Sequence, residues 1–104
     1  MATKKHIAHM MATKSLSALA EALSSVSSTE EMECFLKELL TDSELHDITL
    51  RWQLLALLSQ GVPQRKIADN LQISLCKITR GSRILKKTDS VCMRMLKRDG
   101  NTTV

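Results

Sequence analysis

Apolar residues recur along this chain at the three-and-four spacing of an amphipathic helix, and no stretch alternates as a strand would. The spacing predicts a first helix from Ser15 to about Val26, with Leu16, Leu19, Ala20 and Leu23 on one stripe. Ser24, Ser25, Ser27 and Ser28 end it. Ser28 followed by Glu31 is a capping box, in which a hydroxyl satisfies an orphan backbone N–H at the start of the next helix. Met32, Phe35, Leu36, Leu39 and Leu40 are the apolar positions of that second helix. Thr41 and Glu44 repeat the box and open a long third helix to about Gln60. There Leu45, Ile48, Trp52, Leu55 and Ser59 keep helical spacing, while Leu54, Leu57 and Leu58 make the segment apolar nearly all round. A helix of that kind must be covered on most sides. Gly61 ends it and Pro63 starts the next.

Between Pro63 and Lys86 the pattern tightens. With Gln64 as the first position, Ile67, Leu71, Ile73 and Ile78 are apolar and Ala68 is small. Those are the places where two short helices crossing at roughly 90–120° touch. Ser74 is a ready N-cap for the second of them. Gln72 occupies the turn, where glycine would ease a left-handed backbone. A last short helix follows, capped by Asp89 or Ser90, with Val91, Met95 and Leu96 inward. The expected architecture is an all-α, six-helix chain with a helix-turn-helix at 63–86. Residues 15–98 form the helical domain, 1–14 read as a disordered arm and 99–104 as a flexible tail. MATK occurs at Met1 and again at Met11, so either methionine is a candidate start.

One Trp, one Phe and no Tyr among 104 residues leave the core to Leu, Ile, Val, Met and Ala. A chain this short buries a modest fraction of its surface alone, which favours a core shared in a dimer. The net charge of +4 conceals an asymmetry: residues 1–60 carry five Lys/Arg against eight Asp/Glu, and residues 61–104 carry ten against three. Positive charge confined to the helix-turn-helix half is an electrostatic footprint for nucleic acid. A merely solvated basic face explains the charge but not its coincidence with the motif.

Cys34, Cys76 and Cys92 are widely spaced with no C-x-x-C, which fits reduced thiols and no metal site. Cys34 and Cys92 are expected to pack as small apolar residues, and His6, His9 and His46 to lie at the surface. Nothing resembles a signal peptide or a membrane span, which leaves the cytoplasm as the default. Neither a nucleophile elbow, a phosphate-binding glycine loop nor a zinc-protease motif is present, so the chain reads as a non-enzyme.

The second helix of the motif carries Lys77, Thr79, Arg80, Ser82, Arg83 and Lys86, groups that pair with phosphates and base edges. Its first turns, which enter the major groove in such motifs, hold Leu75, Cys76, Lys77 and Thr79. KITRGS, Lys77 to Ser82, followed by Ile84, Leu85 and Lys86, resembles the recognition helix of the bacterial tryptophan operon repressor family. The resemblance continues upstream through LLTDSELHDITLRWQLLALLSQG, Leu39 to Gly61, with a turn about one residue shorter near Val62.

That resemblance implies an intertwined homodimer whose first two helices interlock with the partner's. It implies a repressor that binds double-stranded operator DNA when L-tryptophan, as corepressor, occupies a pocket beside the recognition helix. Arg51 and Arg80 match the arginines that sandwich the indole; Arg80 also meets the carboxylate together with Thr41, and Gly81 leaves room for the ring. Backbone carbonyls near Glu38 and Leu40 of the other chain meet the ammonium. Ile84 stands where the family commonly has a serine that helps hold the same group. Towards DNA, Leu75, Cys76 and Thr79 match groove-facing positions, while Gln64 and Arg65 approach phosphate and base. Ala68 replaces a usual lysine, for which Lys66 substitutes. Other roles stay open: Thr41 is an N-cap in any case, Arg51 equally covers Trp52, and Arg80 equally binds phosphate. An effector-independent regulator of the same fold, or a helical dimerisation module that binds no DNA, are the alternative functions.

Overall fold

The computed structural model describes residues 3–98, which contain six α-helices and no strand among them. They divide into two compact units, with the boundary between Thr41 and Asp42.

The first unit holds α1 (Lys4–Ser25) and α2 (Thr29–Leu39). The Ser28 hydroxyl accepts from the Glu31 N–H at 3.1 Å, as its capping box predicts. The expected arm is corrected by the structure, since α1 begins at Lys4 and not at Ser15. Thr3 caps it, accepting from the His6 N–H at 3.2 Å. Residues 4–14 contain no Gly or Pro and are rich in Ala, Lys and Met, which are strong helix formers. Cap and propensity therefore extend the helix beyond the apolar stripe. No residue of α1 or α2 is buried. Cys34 is exposed, contrary to the expectation that it packs as a core residue. The predicted tail at 99–104 lies outside the described residues.

In the second unit α3 (Asp42–Ser59) packs against α4 (Gln64–Leu71), α5 (Leu75–Lys86) and α6 (Val91–Arg98). One side of α3 meets α4 and α5 through buried Leu54, Ile67 and Ile78, flanked by Leu57, Val62, Ala68, Leu71 and Ile73. Its other side meets α5 and α6 through Leu55, Ala56, Leu85 and Leu96. Ile67 and Ile78 are fully buried, as their motif positions require. The covering of α3 is less complete than its composition predicts, because Ile48 and Trp52 stay exposed.

The connections follow local chemistry. Gly61 takes a left-handed φ of 84°. Its N–H donates to Leu58 O at 3.0 Å and that of Val62 to Leu57 O at 3.1 Å, so the pair forms a Schellman stop. Gln72 adopts φ 54°, ψ 49°, the left-handed turn anticipated for it, and Ser74 caps α5 by accepting from the Lys77 N–H. Of the two proposed caps for α6, Ser90 is used; its hydroxyl accepts from the Met93 N–H at 3.1 Å. The inward face of α6 is Cys92, Met93 and Leu96. Val91 and Met95, expected inside, are 59% and 43% exposed, because the buried cap at Ser90 rotates the next residue outward.

Candidate ligand pocket and nucleic-acid interface

Three flanks run along α5. Ile78, Gly81 and Leu85, spaced three and four apart, face the core. Lys77, Arg80 and Ile84 form a second flank, again at helical spacing, which with Gly81 lines a pocket. Leu75, Cys76, Thr79, Arg83 and Lys86 make the third flank and are exposed. Leu75 is an apolar residue left 50% exposed at the first position of the helix. Gln64, Arg65 and Lys66 are exposed on the first turn of α4. Ala68 differs from the other residues expected to face DNA, since it is half-buried against the Leu54–Ile67–Ile78 cluster. Its small side chain serves packing.

The pocket encloses about 570 Å³ including its open mouth and lies between α3 and α5. Asp47, Leu50, Arg51 and Leu54 supply the α3 wall, Lys77, Arg80, Gly81 and Ile84 the α5 wall, and Ile73 the end at the turn. The lining mixes an apolar floor with charged rims: Leu54 and Gly81 are buried, Leu50, Ile73 and Ile84 half-buried, and the four charged groups exposed. Gly81 lets the helices approach so closely because a Cβ there would stand 3.2 Å from a Leu58 methyl and 3.3 Å from a Leu55 methyl.

Of the predicted ligand residues, the structure brings Arg51, Arg80, Gly81 and Ile84 together. Glu38 is exposed near the end of α2, Leu40 is its half-buried C-cap, and Thr41 directly precedes α3. These three belong to the other unit, and the resemblance assigns Glu38 and Leu40 to the pocket of the partner chain. Sequence reasoning missed Asp47, Leu50, Leu54 and Ile73 as lining residues, and Lys77, expected among the DNA-facing residues, lines the pocket as well. The signal was available for three of them: stepping from Arg51 by three and four along α3 gives Asp47 and Leu54, and one step back from Leu54 gives Leu50.

The family model for Trp repressor protein matches residues 14–100. The chain belongs to the Trp repressor family. Over 56 residues it is 50% identical to a Trp operon repressor homolog of Actinobacillus succinogenes, covering 53% of this chain and 55% of that one. A homolog from Mannheimia succiniciproducens is 44% identical over 66 residues, covering 62% and 65%. One from Haemophilus influenzae is 41% identical over 64 residues, covering 61% and 63%. The matched stretch thus spans less than two thirds of the length of these relatives. No solved structure matches the chain significantly.

Proposed function

We propose that the chain is a homodimeric helix-turn-helix repressor that binds operator DNA when L-tryptophan fills the pocket between α3 and α5. One observation carries the reading: the pocket and the exposed flank bearing Leu75, Cys76, Thr79, Arg83 and Lys86 lie on the same helix. A ligand wedged against Arg80 and Gly81 fixes the pose in which that helix is presented. Arg51 and Arg80 suit an indole amino acid, since a guanidinium forks onto a carboxylate and also stacks on an aromatic face. In a dimer, that pose sets the separation of two recognition helices near one DNA turn, about 34 Å. Ligand and DNA then strengthen each other by the same factor. Such a regulator works in the cytoplasm.

The second reading, an effector-independent regulator of the same fold, draws on Ile84. An aliphatic side chain there lines the pocket without a hydroxyl to offer. Duplexes selected from a random pool in the presence of L-tryptophan, then titrated with and without it, separate the two. Tighter binding with L-tryptophan is expected. Equal affinity sinks the effector, and absence of specific binding sinks both readings and leaves a dimerisation module.

A further inference from the structure

We infer that Asp47 is the counter-ion for a ligand's ammonium group, which makes the pocket selective for a zwitterionic amino acid over an indole acid that lacks the amine. The inference rests on the reading of this pocket as the indole site.

Four charged residues line the pocket, of which Arg51, Lys77 and Arg80 are cations and Asp47 is the acid. The remaining lining is aliphatic or glycine, so Asp47 is the one lining side chain able to accept from a cation. Ile84 has no acceptor atom. Asp47 stands one helical turn before Arg51 on the pocket face of α3, opposite Lys77 and Arg80 on α5. Among the described residues no ion pair holds its carboxylate to any of the three cations.

A monoanionic ligand is served by the cations alone, and Asp47 repels it. An amino acid has a carboxylate for Arg80 and an ammonium for Asp47, with its apolar ring over Leu50, Leu54 and Ile84. The two ligand classes therefore respond to loss of the Asp47 charge in opposite directions. Exposure screens the contact, so the effect belongs at the low end for a charged hydrogen bond, about tenfold.

Calorimetric titration of the full-length protein, its Asp47→Asn variant and its Asp47→Glu variant with L-tryptophan and indole-3-propionate tests this. The wild type should prefer L-tryptophan. Asp47→Asn should weaken L-tryptophan about tenfold while leaving indole-3-propionate unchanged or tighter. Asp47→Glu should keep the preference, because it keeps the charge. Equal weakening of both ligands by Asp47→Asn, or no change in either, overturns the role of Asp47 and leaves the pocket reading standing. If the wild type binds neither ligand, the pocket reading itself falls and this inference with it.

Discussion

Gly81 combines two demands on a single residue. It belongs to the pocket wall, and it also lets α5 settle on α3 where the leucine methyls of positions 55 and 58 leave 3.3 and 3.2 Å for a Cβ. Alanine there needs those methyls to yield by a few tenths of an ångström, and its better helix propensity offsets the strain by about 1 kcal/mol. Valine has a smaller offset and adds two further methyl groups at the contact. Gly81→Val should destabilise by about 1–3 kcal/mol in urea titration, with Gly81→Ala near neutral. A Gly81→Val variant as stable as the parent would mean the helices are not this close. Gln72 carries the opposite kind of cost, because a residue with a side chain is held at φ 54°. The left-handed conformation costs roughly 1–2 kcal/mol outside glycine. Glycine's larger loss of chain entropy returns about 0.5–1 of that. Gln72→Gly should therefore stabilise by about 0–1.5 kcal/mol, and a clear loss of stability would show that the turn is not left-handed in solution.

Under the proposed function, the division of α5 into core, pocket and solvent flanks would let one short helix connect a ligand to a nucleic acid. If the exposed flank reads DNA as proposed, Arg83→Ala and Lys86→Ala should weaken specific and random duplexes alike. Each should lower the salt slope of binding by about one, whereas Thr79→Ala should relax specificity by roughly 1–3 kcal/mol. Identical behaviour of all three on both duplexes would contradict the assignment. The core flank was legible in the sequence at Ile78, which with Ile67 of α4 holds an apolar motif position, and both isoleucines are fully buried. The pocket flank was legible only through the motif around Arg80. Lys77 and Arg80 are as polar as the solvent-facing Arg83 and Lys86, so periodicity does not separate them; only the register against α3 does. The start of α1 was hidden for a different reason. Its first turns rest on a cap and on propensity, and the apolar stripe used to locate helices begins later. On α6, Cys92 and Met93 pack where Val91 and Met95 were expected, because a short helix offers too few apolar positions to fix its rotation.

At the scale of the whole molecule, the proposed dimer explains apolar surface that a single chain leaves in water. Neither α1 nor α2 has a buried residue, Leu16 is 68% exposed, and Leu39, Ile48 and Trp52 are exposed as well. Soluble monomers rarely keep so much apolar surface bare. The chain should sediment at twice its 11.6 kDa mass at micromolar concentration, with a melting temperature that rises with protein concentration. Leu16→Ala sharpens the test, since the two states of assembly give it different costs. In a monomer with Leu16 this exposed, truncation falls within the roughly 0.5 kcal/mol typical of surface changes. If a partner's helices cover Leu16, the same truncation removes a buried side chain and costs about 2–5 kcal/mol. The expected result is the larger loss, accompanied by a shift towards monomer in sedimentation. A chain that runs as a monomer, melts independently of concentration and tolerates Leu16→Ala would rule out the intertwined assembly, and with it the spacing of two recognition helices on which ligand control of DNA binding depends.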